Sequence, residues 1–142
     1  MQLPMHFEVE AEGQSGMQNA FTARAHSLNP ITCAIPTEFG GPGRGYSPED
    51  LFALSLVSCF IATFKVFAEK SKLTFEEIAV KAVLTIAKNQ SGVLALTKLD
   101  IQVDLQAPSD HEKAMKLMHE ADKYCLISNA VKVEKQFSFN IS

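Results

Sequence analysis

The chain has three cysteines, Cys33, Cys59 and Cys125, and these residues are the best suited to chemistry. A thiolate attacks a peroxide to give a sulfenic acid, and a second thiol nearby then condenses with that acid to form a disulfide. A lone cysteine on an apolar helix face is also often a small buried hydrophobe, and this alternative applies to each of the three. Cys33 lies in a strand-like segment, where the structural interpretation is favoured.

The N-terminal residues have no basic start followed by an apolar run, so we expect no secretory signal and a cytoplasmic protein. Thiols in that compartment are free or redox-active more often than they are structural disulfides. His111 and His119 are eight residues apart without cysteines at ligand spacing, which argues against a bound metal.

Length and composition predict one packed domain over residues 1–142. Apolar residues make up 46% and charged residues 20%, as in ordinary packed domains. The net charge is −3 and the 13 basic residues are scattered, which argues against nucleic acid as a partner. The apolar stretch 51–64 is shorter than the ~20 residues that span a bilayer, so we expect a buried helix and no membrane partner.

The first part of the chain has the pattern of a β-hairpin. Alternating apolar residues in 6–11, a Gly-Ser turn at 13–16 and a second segment at 20–25 predict two paired strands. A short extended piece at 31–35 then leads into the Gly-Pro loop 40–45.

A long helix is predicted next. Ser47 can cap it, Pro48 suits its first position, and Glu49 and Asp50 favour the positive end of its dipole. The helix should run to about Lys70. Apolar residues cover nearly its whole circumference, so we expect protein on most sides of it, with a second copy of the helix beside it in a close dimer.

The remaining segments complete an α+β pattern. Alternation at 78–86 and 99–105 predicts two strands, and 131–141 predicts a C-terminal strand. Ser109 to Glu112 offers a capping box for a second helix, with Cys125 at or just past its end. We expect a mainly antiparallel sheet packed on the long helix.

Two spaced motifs carry a family resemblance. Gly40-Gly41, Ser47 to Ala53 and Ser58-Cys59-Phe60, followed by Cys125 after Lys123-Tyr124, resemble the signature of the OsmC/Ohr superfamily of osmotically induced and organic hydroperoxide resistance proteins. The resemblance implies an OsmC-like fold, in which antiparallel sheets wrap around the long central helices of an intertwined homodimer. It also places two sites at the subunit interface.

The resemblance further assigns chemical roles. Cys59 would reduce an organic, fatty-acid-like hydroperoxide in the oxidative stress response, and Cys125 would resolve the product as a disulfide. A lipoyl-type dithiol protein would then reduce that disulfide, with no bound cofactor or metal. Glu49 matches the family glutamate that holds an arginine against the reactive thiolate.

That arginine is missing at its usual places. Gln14 and the pair Thr37-Glu38 stand at the two positions where relatives carry it, and the chain has only Arg24 and Arg44. Arg44, five residues before Glu49, is the better substitute, although it also fits a solvated loop charge.

Glu49 fits a helix-dipole role as well as a site role. It lies about 15 Å along one straight helix from Cys59, at ~1.5 Å per residue. A joint role therefore requires the loop to fold back or a partner chain to contribute.

Three functions remain open. The leading hypothesis is a thiol peroxidase. Loss of the arginine favours a binding protein with an apolar interface pocket for a small ligand, and a third hypothesis is a thiol switch whose disulfide alters a partner contact.

Overall fold

The computed structural model describes all 142 residues and divides into two units, residues 1–52 and 53–142. The elements are β1 (Val9–Glu12), β2 (Phe21–Ala25), β3 (Ile31–Cys33), a 3-10 turn (Thr37–Phe39), α1 (Pro48–Lys70), β4 (Glu77–Lys88), β5 (Leu94–Gln106), α2 (His111–Tyr124), α3 (Leu126–Ala130) and β6 (Glu134–Ile141). This order confirms the predicted α+β class and adds the short helix α3. The assignment of residues 1–142 to a single domain stays a prediction.

The first unit contains a three-stranded antiparallel sheet in the order β1-β2-β3, which confirms the hairpin. In the loop after β3, a Cβ on Gly41 would lie 2.1 Å from the carbonyl oxygen of Ile35, so only glycine fits there. Few side chains of this unit are buried, and they are Cys33, Ala34 and Ser47.

Helix α1 begins and ends as predicted. The Asp50 amide donates to Ser47 Oγ over 3.0 Å, and the Ser47 amide donates to Asp50 Oδ2 over 2.9 Å. Each side chain thus provides an acceptor for a backbone amide that has no partner within the helix. Phe60 and Phe64 lie on its buried face, whereas Leu54 and Val66 are 44% and 49% exposed. One chain thus covers one face of α1, and coverage of the rest by a second copy stays a prediction.

By length and composition alone, α1 could also cross a bilayer. It has 23 residues and a mean hydropathy of 2.1 in its most apolar window, of which 22% is buried. The core helix of a soluble protein meets the same criteria, so this property is weak evidence for a membrane span.

The second unit contains a sheet in the order β4-β5-β6. Strands β4 and β5 pair antiparallel, but β5 and β6 pair parallel. The prediction of antiparallel sheets is therefore wrong for this pair. Helices α2 and α3 connect β5 to β6 as a crossover, which returns the chain to the same end of the sheet.

The core of the second unit lies between this sheet and the helices. The Phe60 ring is centred 5.5 Å from Phe137 and 6.1 Å from Phe139, and Phe64 lies 5.4 Å from Phe75. Side chains at alternate positions of β5 and at helical spacing on α2 complete the core: Leu99, Ile101, Val103, Leu105, Ala114, Leu117, Met118 and Ala121. The predicted apolar stripe of α2 is confirmed.

The cap of α2 differs by one residue from the prediction. Asp110 is the cap and accepts from the Lys113 amide over 3.0 Å. The Ser109 hydroxyl instead accepts from the Thr74 amide over 3.1 Å.

Candidate thiol site

Cys59 lies in the fourth turn of α1 and is half-buried. Its sulfur is 3.9 Å from the hydroxyl oxygen of Thr63, one turn further along the same helix. The Cys125 thiol and the backbone amides of Leu126 and Ile127 also lie close enough to this sulfur to stabilise its thiolate. The structure therefore brings together the two cysteines that are 66 residues apart in the sequence.

Cys125 lies between α2 and α3 and is only 1% exposed. Its sulfur caps α3 by accepting from the Ser128 amide over 3.3 Å. The first amides of α3 lie close to the Cys59 sulfur. All three cysteines are free thiols, and Cys33 lies buried in the first unit.

The environment of Cys59 favours its thiolate. Burial raises the pKa of the Cys59 thiol, but hydrogen bonds from Cys125, the Ile127 amide, Thr63 and the Leu126 amide outweigh burial and leave this pKa below its ordinary value. These donors are neutral, so hydrogen bonding and not a neighbouring cation lowers the pKa.

The environment of Cys125 favours its protonated form. Burial raises the pKa of the Cys125 thiol, and the hydrogen bond to Cys59 raises it further, to about 11. The pKa of Cys59 therefore lies below the ordinary thiol value and that of Cys125 above it. Cys59 is the one that ionises first, and Cys125 is the donor that stabilises its thiolate.

Glu49 and Arg44 belong to the first unit. Oxygen Oε1 of Glu49 is buried without a hydrogen-bond partner, which is costly for a carboxylate. Arg44 is exposed in the Gly-Pro loop at φ +64° and does not pair with Glu49. Arg24 pairs instead with Glu10 on the hairpin. A role for Glu49 or Arg44 in the reaction stays a prediction.

An open groove of about 500 Å³ lies between the end of α1 and α2 in the second unit. Phe67 and Tyr124 lie on it with their rings at right angles and 6.0 Å apart, and Tyr124 directly precedes Cys125. Lys70 and Lys116 contribute positive charge to its lining, and Glu120 contributes negative charge. The groove offers an apolar surface next to the segment that carries Cys125.

Sequence reasoning identified both cysteines but missed their donors. Thr63 is four residues after Cys59 and therefore on the same helix face, so helical spacing was an available signal. No sequence signal pointed to the amides of Leu126 and Ile127, because α3 is a short helix without a periodic apolar pattern.

Comparison with known proteins agrees with this structure. The family model described as OsmC-like protein matches residues 41–140. An organic hydroperoxide resistance protein-like 2 of Staphylococcus saprophyticus is 36% identical over 114 residues, covering 75% of this chain and 78% of that protein. An organic hydroperoxide resistance protein of Xanthomonas axonopodis pv. citri is 31% identical over 101 residues, covering 70% and 69%.

Among solved structures, an OsmC-like protein of unknown function from Vibrio cholerae superposes with a TM-score of 0.83 at 20% identity, covering 95% of this chain and 99% of that one. At this identity the likeness establishes the fold. Together with the family model, it confirms the resemblance that the spaced Gly-Gly, Ser-Pro-Glu-Asp and cysteine motifs indicated. The chain belongs to the OsmC-like family.

Proposed function

We propose that the protein is a thiol peroxidase that reduces organic hydroperoxides through Cys59 and Cys125. The closeness of the two thiols, which favours the thiolate of one and the protonated thiol of the other, is the observation that carries the proposal. A peroxidatic thiolate and a resolving thiol need this pairing, whereas two structural cysteines do not.

The reaction balances with these two residues and an external dithiol. The Cys59 thiolate attacks the terminal oxygen of the hydroperoxide, the O–O bond breaks, and the leaving alkoxide takes a proton to become an alcohol. The Cys125 sulfur attacks the sulfenic acid and a disulfide forms with release of water. A dithiol then reduces this disulfide by exchange and is itself oxidised.

The relatives and the groove support the substrate class. The Staphylococcus and Xanthomonas relatives bear names of organic hydroperoxide resistance proteins. An alkyl tail fits the apolar surface of Phe67 and Tyr124 better than hydrogen peroxide does. A fatty-acid-like hydroperoxide is the substrate class we expect, and a lipoyl-type dithiol the reductant.

We also propose a cytoplasmic homodimer as the active form, with no bound metal or cofactor. The exposed apolar residues of α1 support a second copy. The partnerless oxygen of Glu49 supports a donor supplied from outside this chain, and Arg44 of a second copy is the candidate.

Steady-state kinetics test the peroxidase proposal. Reduced protein should consume cumene hydroperoxide catalytically with dihydrolipoamide, and faster than hydrogen peroxide. Cys59→Ser should abolish turnover, because it removes the nucleophile, while Cys33→Ser, the matched control, should retain it. Full activity in Cys59→Ser would contradict the proposal.

A small-ligand-binding protein is the second candidate. The neutral donors around Cys59 and the partnerless Glu49 oxygen favour it, since neither shows a replacement for the family arginine. Such a protein would bind an alkyl ligand but show no dithiol-dependent turnover. A redox switch would instead react once and then remain oxidised.

A further inference from the structure

The turn that follows Cys125 is held by three side-chain contacts. At its start, the Cys125 sulfur accepts from the Ser128 amide. In its middle, the Asn129 side-chain amide donates to the Lys123 carbonyl over 3.0 Å. A helix as short as α3, residues Leu126–Ala130, does not form by itself in water, so such contacts must maintain it.

The third contact comes from Lys135, the second residue of β6. Its ammonium group donates to the carbonyl oxygen of Ser128 and, over 3.2 Å, to that of Val131. These carbonyls lie at the C-terminal end of α3, where acceptors have no partner within the helix and a positive charge is favourable. Lys135 is half-buried, and on α2 Asp122 interacts with its charge.

We infer that Lys135 is a positioning residue for Cys59. By binding both carbonyls at one end of α3, it holds the Leu126 and Ile127 amides at the other end close to the Cys59 sulfur. Lys135 acts through α3 and not on the substrate. The inference rests on the proposed function in taking Cys59 as the reactive thiol, but its test does not require peroxidase activity.

The test is the pH profile of Cys59 alkylation in the reduced, full-length protein. Iodoacetamide labels the thiols, and peptide mass spectrometry assigns the label to Cys59. Lys135→Met keeps the length of the side chain but removes its charge and donors. Without the Lys135 contacts, the Leu126 and Ile127 amides should stabilise the Cys59 thiolate less. The alkylation midpoint should then move upward by about one pH unit, which corresponds to about tenfold slower labelling at pH values below it.

Two further variants separate positioning from folding. Lys132→Met, which changes an exposed lysine nearby, should retain the wild-type midpoint. An unchanged midpoint in folded Lys135→Met, even with a lower melting temperature, would overturn the inference. If Lys135→Met does not fold, Lys135→Gln decides, because its amide can serve one of the two carbonyls: a smaller upward shift supports the inference and a wild-type midpoint contradicts it.

Failure of this inference is distinguishable from failure of the proposed function. Absent peroxide turnover in the wild type, with a Cys59 midpoint that still depends on Lys135, would reject the peroxidase and retain the positioning role. Normal turnover with a Cys59 midpoint independent of Lys135 would retain the peroxidase and reject the positioning role.

Discussion

The closeness of the two thiols gives Cys125 an influence on Cys59 before any oxidation occurs. While it carries its proton, Cys125 donates to the Cys59 sulfur and lowers the pKa of that thiol. Its own pKa of about 11 keeps the proton in place throughout the neutral range. In the proposed reaction, the residue that resolves the sulfenic acid would thus also prepare the nucleophile.

Two substitutions at Cys125 separate these contributions. Cys125→Ser keeps a hydroxyl donor, whereas Cys125→Ala removes the donor, so we expect a higher Cys59 pKa in Cys125→Ala than in Cys125→Ser. Cys59 alkylation should speed up as pH rises through this pKa, because only the thiolate reacts. The curve for Cys125→Ala should therefore lie at higher pH, and superimposable curves would contradict the role of the donor.

Cys125→Ser should also allow a single reaction with hydroperoxide. The sulfenic acid on Cys59 then has no thiol with which to condense, so it should persist long enough to be labelled by dimedone. Absence of the adduct in this variant, with the hydroperoxide consumed, would show that another group is the nucleophile.

At the scale of elements, α1 was predictable and α3 was not. The cap at Ser47 and the proline after it are local signals, and the structure uses both. Helix α3 depends instead on contacts to Lys123 and Lys135, which are not evident from residues 126–130 themselves.

The direction of β6 could not be predicted from the sequence either. Alternation of apolar residues predicts a strand and its buried face but not whether its neighbour runs parallel or antiparallel. The same limit applies to the site: the cysteine pair was predicted from the motifs of the family resemblance, but the amides near Cys59 belong to α3, whose contact with Lys135 of β6 is not evident from the sequence.

The cap of α1 can be tested by stability. Ser47→Ala removes the hydroxyl that accepts from the Asp50 amide and should lower the free energy of unfolding by about 1 kcal/mol. Ser58→Ala, at an exposed position inside the same helix, is the control and should be neutral or slightly stabilising. Equal effects in urea denaturation would show that the cap contributes nothing specific.

At the scale of the whole molecule, the exposed apolar surface of α1 predicts a partner. Leu54 and Val66 are half exposed on a helix whose other face is buried, which is the surface expected of a dimer interface. If two α1 helices pack together, Leu54→Arg places a charge in the interface and should shift the protein from dimer toward monomer.

Sedimentation measures this directly. The wild type should sediment at about twice the 15.6 kDa chain mass, and Leu54→Arg closer to the single-chain mass. Val83→Arg changes an exposed valine that lies among Lys81, Asp100 and Gln102 on the sheet, and should leave the dimer intact. A wild-type monomer at micromolar concentration would contradict the dimer.

The central claim is that Cys59 and Cys125 form a redox pair, and its most direct test is the mass map of the protein after one equivalent of cumene hydroperoxide. We predict a disulfide that links the peptides of Cys59 and Cys125 and leaves Cys33 reduced. Persistence of both thiols, or a disulfide that includes Cys33, would contradict it.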